Sequence, residues 1–409
     1  MDDAAATEIS TWVTAAGLAG TAEPVLLHGF CSRLIDTGLP LARAMVIVDT
    51  LHPGYEGRVF RWLREPTPDD KVVIEYGRLE DDEETAARWQ RSPFYHLLET
   101  GASSLRRCLV RGDPTDFPVI EELQALGQND YLALVHRLTG EGVIGGMDCI
   151  YTSWTSDDPA GFHDAQVDLL QRLVPGLALA IKAASLARIA GTLVETYLGR
   201  DAGRRVLSGH IARGVAERIG AVLWFSDLRG FTRITDSAAP EAIIPLLNDY
   251  AEAIISAVHD AGGDVLKLIG DGTLAIFNAA TPAEACHCAL VAESLARERI
   301  AVLNARRAAQ GLPLTQAYLG LHIGEVFYGN IGSHDRLDFT VVGPAVNEAS
   351  RIAAMCRSAE RDVLLSAAFA AAAAEEDRAR CVSVGRYALR GVERPQELFT
   401  LEHAPRASP

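Results

Sequence analysis

This sequence is short of positive charge. Across 409 residues, 38 Lys and Arg stand against 54 Asp and Glu, a formal net charge of −16, with a pI of about 5.2. That balance excludes a general nucleic-acid binder and a binder of anionic membranes, both of which need a cationic face. It leaves room for a small basic pocket. Cysteine is sparse as well. Cys31, Cys108, Cys149, Cys286, Cys288, Cys356 and Cys381 are scattered and odd in number. This excludes a disulfide framework and predicts a reducing, cytoplasmic setting. Cys286 and Cys288 flank His287 in an Ala-rich helical pattern, where residues two apart point away from each other. They read as packing, not as a metal site. Long apolar runs are missing too. The best one, Leu173 to Ala190, is broken by Pro175 and Gly176 and carries Lys182 and Arg188, so no membrane span is expected. The acidic start, Met1-Asp2-Asp3, lacks the apolar segment of a leader.

What is present describes a soluble globular protein: 48% hydrophobic and 22% charged residues. The length predicts two or more domains. Residues 4–37 read as two helices parted near Gly20. Ala42–Val48 and Gly57–Trp62 read as a strand pair around His52-Pro53-Gly54, and Lys71–Tyr76 extends it. A short helix from Ser92, a strand over 105–110 and an amphipathic helix over 117–126 follow. Tyr131–His136 and Gly142–Tyr151 read as a hairpin. From Phe162 to about Leu198, Leu170, Leu173, Leu177 and Ile181 recur at steps of three and four, a helix that Pro175 kinks or divides. Tyr197 to Gly220 is polar and Gly-rich, a coupling segment.

The stretch around which the second half is organised is Ala221 to Asp271. Ala221–Phe225 is a buried strand by composition, and Asp227 sits where it ends. Asp264–Ile269 and Thr273–Phe277 flank a Gly-Asp-Gly turn with Asp271 at its tip. Two acids at the ends of adjacent strands meet in a cleft, and such oxygen ligands suit Mg²⁺. Each aspartate alone has a structural reading, as a helix cap or a turn residue. The remainder reads as helix (239–259), hairpin (264–278), helix (281–309), strand pair (315–330), strand (338–342), helix (344–358) and a final hairpin through Arg390 to Leu401. The glycines of Gly324–Gly332 fall in a hairpin and read as structural.

Phe225–Thr232, Lys267–Asp271 and Thr340–Arg351 together resemble the three motifs of the class III nucleotidyl cyclases. The resemblance covers the C-terminal half. It implies an α+β fold with a ferredoxin-like βαββαβ core and helices on one face of an antiparallel sheet. The order of helices, sheet and closing helix before it resembles a GAF-type domain, an N-terminal α/β sensor. The boundaries expected are 1–160 for the GAF-like regulatory domain, 161–215 for a signalling helix and linker, and 216–404 for the cyclase domain. A purely dimerising role is the alternative for the first of these.

The resemblance implies an adenylate cyclase, which converts ATP to 3′,5′-cyclic AMP and pyrophosphate. It gives Asp227, Asp271 and the Leu228 carbonyl two Mg²⁺ or Mn²⁺ ions per site. Gly230, Phe231 and Thr232 would approach the phosphates. Lys267 would read the base, donating to adenine N1, and Thr340 would be the second base reader. Asn347 would position the ribose and Arg351 would stabilise the transferring phosphate. Arg390 stands where the family often has a Lys toward the triphosphate. Threonine at 340 fits adenine less exclusively than the Asp of many adenylate cyclases, so a guanylate or dual-specificity cyclase is the alternative, and a silent cyclase-like scaffold a third reading. The Thr-containing subgroup includes bicarbonate-responsive members, which makes bicarbonate an expected effector beside an unnamed ligand of the N-terminal domain. The family further implies a homodimer whose sites combine residues of both subunits.

Overall fold

The computed structural model describes residues 3–77, 83–138, 144, 147–389 and 395–402. The chain divides into two compact units, Met1–Leu193 and Val194–Pro409.

The first unit begins with α1 (Asp3–Leu18) and α2 (Glu23–Asp36), followed by β1 (Arg43–Asp49), β2 (Gly57–Leu63) and β3 (Val73–Tyr76). Then come α3 (Glu83–Gln90), α4 (Pro93–Thr100), β4 (Ser104–Cys108), α5 (Pro118–Ala125), β5 (Asp130–Arg137), β6 (Cys149–Ser156) and α6 (Asp164–Leu198), whose last turn enters the second unit. The six strands form one antiparallel sheet in the order β3-β2-β1-β6-β5-β4. Strand β1 alternates: Ala44, Val46 and Val48 join Leu26, Phe30, Leu177 and Ile181 on one face. Met45 and Ile47 face Phe94, Ile120 and Tyr131 on the other. That period-two pattern is what places a helical layer on each side of the sheet.

Two expectations change here. Strand β6 runs over Cys149–Ser156, later than the expected 142–151, because all eight of its residues are buried between the two layers. The expected start at Gly142 lies outside the described residues. Pro175 neither divides nor ends α6. Losing one backbone hydrogen bond costs ~3 kcal/mol, and burial of Leu170, Leu173, Val174, Leu177 and Ile181 on either side of it outweighs that at about 1.5–3 kcal/mol per side chain. Among the described residues, α6 is one helix long and apolar enough to cross a membrane by length and composition. Its Leu170, Leu173, Val174, Leu177 and Ile181 lie in the core of the first unit, while Leu179 is exposed.

Asp49, at the end of β1, accepts a hydrogen bond from the Tyr76 hydroxyl. Burial, with Asp148 and Glu56 nearby, pushes its carboxyl from 3.8 up to about 6. The folded state therefore holds a proton that the unfolded state releases. This contribution to stability is present below the unfolded value and is lost as pH rises toward 6. A shift of about two units is worth ~3 kcal/mol. Asp49→Asn, which keeps an acceptor for Tyr76, is expected to remove that slope. Denaturant unfolding of both proteins between pH 4 and 7 checks it, and parallel curves refute it.

The second unit continues with α7 (Arg200–Leu207), β7 (Ala216–Leu228), α8 (Phe231–Ser237), α9 (Pro240–Asp260), β8 (Asp264–Ile269), β9 (Gly272–Phe277) and α10 (Pro282–Ala309). It closes with β10 (Ala317–Gly332), β11 (Leu337–Val342), α11 (Pro344–Ala359), β12 (Val363–Ser366), α12 (Ala367–Ala372), α13 (Glu375–Arg378), β13 (Cys381–Tyr387) and β14 (Gln396–Leu401). The sheet order is β13-β14-β12-β10-β7-β9-β8, with β11 paired to β10. The fold is mixed α+β. Its centre is the antiparallel pair of β7 and β10, in register from Leu228 against Ala317 to Ala216 against Gly329.

The expected strand pair over 315–330 is one long strand, β10, and β7 begins at Ala216, five residues before its apolar run. Each supplies hydrogen-bond partners for the other, so the pairing carries both past the point where hydrophobicity stops. Helices cover both faces, not one, and β12 runs parallel to β10. The reason is in β7. Val222 and Trp224 face Tyr250, Ile254, Ala289 and Leu290 of α9 and α10. Ala221 and Leu223 face the opposite way, toward Ala345 and Ala349 of α11. A strand apolar at every position needs cover on both sides.

Candidate active site

Asp227 lies one residue before the end of β7, and Asp271 lies in the turn joining β8 and β9. Strands β7 and β9 are paired, with Ser226 opposite Thr273, so the turn folds against the end of β7. A Cβ on Gly272 would come within 2.8 Å of the Ser226 carbonyl oxygen and 3.7 Å of Asp227 Oδ1. Asp271 Oδ2 accepts the Leu228 backbone N–H at 3.2 Å. The two carboxyls thus converge, as the spacing predicted. Partial desolvation in the cleft, reinforced by the facing Asp271, pushes Asp227 from 3.8 up to about 6. Neither aspartate forms an ion pair with a described Lys, Arg or His side chain. Two hard oxygen donors of like charge, without a cationic partner, fit a divalent cation. Among the described residues no group of three or more His, Cys, Asp and Glu is arranged for a metal.

Gly230 has φ of +70°, a left-handed conformation that glycine adopts without penalty, and it turns the chain into α8. Phe231 packs on the core of α9 and α10, which anchors the loop through its side chain. Thr232 is exposed, and its carbonyl accepts the Thr235 hydroxyl at 2.8 Å. A cavity of about 170 Å³ adjoins the site, lined by Leu228, Tyr250, Ile254, Asp271 and Thr273. A larger one of about 1000 Å³ reaches Gly230 and several arginines but neither aspartate.

Lys267 lies in β8. Its ammonium bonds Asp338 of β11, a residue that sequence reasoning missed. Its only signal was its place two residues before Thr340 on the same strand. Thr340 is buried, opposite Gly329 of β10. Asn347 and Arg351 sit four apart on α11, on one face. Asn347 is exposed, and Arg351 makes no ion pair among the described residues. Helix α11 is pressed onto β10 at Gly320, where a Cβ would lie 2.5 Å from Ala353 N and 2.7 Å from the Ala349 carbonyl oxygen. Gly320→Ala is therefore expected to displace α11 and destabilise this unit by ~1–3 kcal/mol. Denaturant unfolding checks it, and unchanged stability refutes it. Arg390 lies outside the described residues.

Residues 215–403 match the family described as the Adenylate and Guanylate cyclase catalytic domain. Adenylate cyclase 1 of Rhizobium meliloti (strain 1021) is 31% identical over 181 residues, 43% of this chain and 27% of that protein. An adenylate cyclase of Anabaena cylindrica is 34% identical over 161 residues, 38% of this chain and 31% of that one. The adenylyl cyclase CyaB from P. aeruginosa, a solved structure, is 27% identical with a TM-score of 0.43, covering 47% of this chain and 98% of that chain. The chain spans less than a third of the length of these two curated relatives. The match supports a class III adenylate and guanylate cyclase catalytic domain in residues 215–403.

Proposed function

We propose that the second unit is an adenylate cyclase, and the observation that carries this reading is the convergence of Asp227 and Asp271. Two Mg²⁺ or Mn²⁺ ions, held by this pair and the Leu228 carbonyl, would make the ribose 3′-hydroxyl more acidic and neutralise triphosphate charge. The chain's own residues do the rest. Lys267 donates to adenine N1, with Thr340 beside it. Asn347 holds the ribose so that its 3′-oxygen lies in line with the α-phosphorus. Arg351 donates to the α-phosphate oxygens as charge builds there. The 3′-oxygen bonds to phosphorus, its proton passes to solvent, and pyrophosphate leaves with the electrons of the broken P–O bond.

In one chain Asn347 is exposed and Arg351 makes no ion pair among the described residues, which supports a homodimer in which each chain completes the other's site. The first unit, with α6 leading from it, is a GAF-like regulatory domain in this reading. Seven unpaired cysteines support a reducing compartment. The names of the relatives favour ATP over GTP. Product analysis with ATP or GTP, each with Mg²⁺ and Mn²⁺, tests the reading. Cyclic AMP from ATP supports it, cyclic GMP alone reassigns the substrate, and no cyclic product from a dimer overturns it.

A further inference from the structure

We infer that the second unit carries an anion-binding site separate from the aspartate pair, built by Arg233, Arg357 and Arg361 and suited to a small organic phosphate. The site is the cavity of about 1000 Å³ that reaches Gly230, a size that holds a small organic molecule. It lies where β7 ends and β10 and β12 begin, since Leu228 pairs with Ala317 and Leu319 with Val363. In the sheet, β10 and β12 stand on one side of β7 and β9 stands on the other. Asp271, in the turn before β9, is thus across β7 from the cavity. Asp227, Asp271 and Arg351 are all absent from its lining. The site therefore stands whether or not the aspartate pair makes a cyclic nucleotide.

Among the described residues, Arg229, Arg233, Arg297, Arg357 and Arg361 line the cavity against three acids, Glu293, Glu360 and Asp362. In a chain of net charge −16 this is a local reversal of sign, and a concave site focuses its field. Two of the arginines are already paired: Arg297 Nε lies 3.1 Å from Glu293, and Arg229 lies 3.5 Å from Asp362. Arg233, Arg357 and Arg361 are exposed and make no ion pair among the described residues. Arg361 donates through one nitrogen to the Glu360 carbonyl at 2.9 Å, and its guanidinium has further N–H donors. They come from three places, α8, the last turn of α11 and the segment after it. A guanidinium fork matches phosphate oxygens in pairs, and three such groups suit a dianion better than a single carboxylate. The floor is different. Trp224, Ile254 and Ile300 line it and are otherwise buried. A cationic rim over an apolar floor favours a phosphate with an apolar body over a bare hydrated ion.

Calorimetric titration of the full chain with 1-naphthyl phosphate and with inorganic phosphate tests this, without divalent cations and at constant ionic strength. Wild type and Asp227→Ala are both expected to bind one 1-naphthyl phosphate per chain, more tightly than inorganic phosphate. Arg357→Ala and Arg361→Ala should each weaken that binding about tenfold or more, with thermal unfolding unchanged because both side chains are exposed. Arg233→Ala, on a separate helix, should do the same and keeps the test decisive if a change beside α11 disturbs the fold. No binding to wild type, or equal affinity in all three arginine variants, overturns the inference. Displacement of the probe by 3′-deoxy-ATP with Mg²⁺, a nucleotide that cannot cyclise, places the phosphate at the aspartate pair and also overturns it. Inorganic phosphate binding as tightly as 1-naphthyl phosphate overturns the assignment to an organic ligand.

Discussion

Asp227→Ala is expected to lose cyclase turnover by about 10³-fold or more while the fold stays intact. Metal-assisted charge neutralisation is worth several kcal/mol, and each ~1.36 kcal/mol is a factor of ten. The structural cost runs the other way. Asp227 carries no ion pair with a described side chain, is exposed, and has its carboxyl pushed up to about 6 by desolvation and Asp271. A raised carboxyl favours folding only while protonated, so above pH 6 the wild type bears an uncompensated pair of charges that the variant lacks. Thermal unfolding at pH 7.5 is therefore expected to show Asp227→Ala at least as stable as wild type. Substantial turnover in the variant rejects the metal-holding role. A large drop in melting temperature shows instead that the carboxylate is structural.

Arg351→Ala is expected to be inactive as well, by about 10²–10³-fold, the usual loss when a preorganised donor to a developing anion is removed. The sharper experiment combines the two variants. If Asp227 comes from one chain and Arg351 from the other, an equimolar mixture forms mixed dimers in which one site is whole and the other lacks both groups. Half of the dimers are mixed and half of their sites are intact, so about a quarter of wild-type activity returns. The readout is cyclic nucleotide formation after the variants are unfolded and refolded together. No recovery from a mixture that demonstrably dimerises places both residues in the same chain's site and removes the argument for shared sites.

Much of the candidate site was legible because its signals are local. Asp227 follows an apolar run that has to be a buried strand, and Asp271 sits in a Gly-Asp-Gly turn, so both ends were readable from neighbours in sequence. Asn347 and Arg351 came from the resemblance of Thr340–Arg351 to the cyclase motif, and helical spacing puts them on one face of α11. The pairing of Lys267 was not legible. Its partner, Asp338, is 71 residues away, beyond the reach of any local pattern. Helix α7 was hidden for a related reason: its buried residues are Ala202 and Gly203, too small to mark an apolar stripe.

The sequence by itself determined which segments are strands and helices wherever a side-chain period was strong, and which acids end them, because local sterics and one-sided burial act within a few residues. Only the tertiary structure decided how far those segments run and what lies beside them. Strands β7 and β10 extend past their apolar stretches because each satisfies the other's backbone. Helix α6 tolerates Pro175 because its flanking residues are held in a core. Helices occupy both faces of the second sheet because β7 is apolar on both. Lys267 turns to Asp338 because the fold brings β8 and β11 within reach, a proximity set by long-range packing that no local pattern encodes.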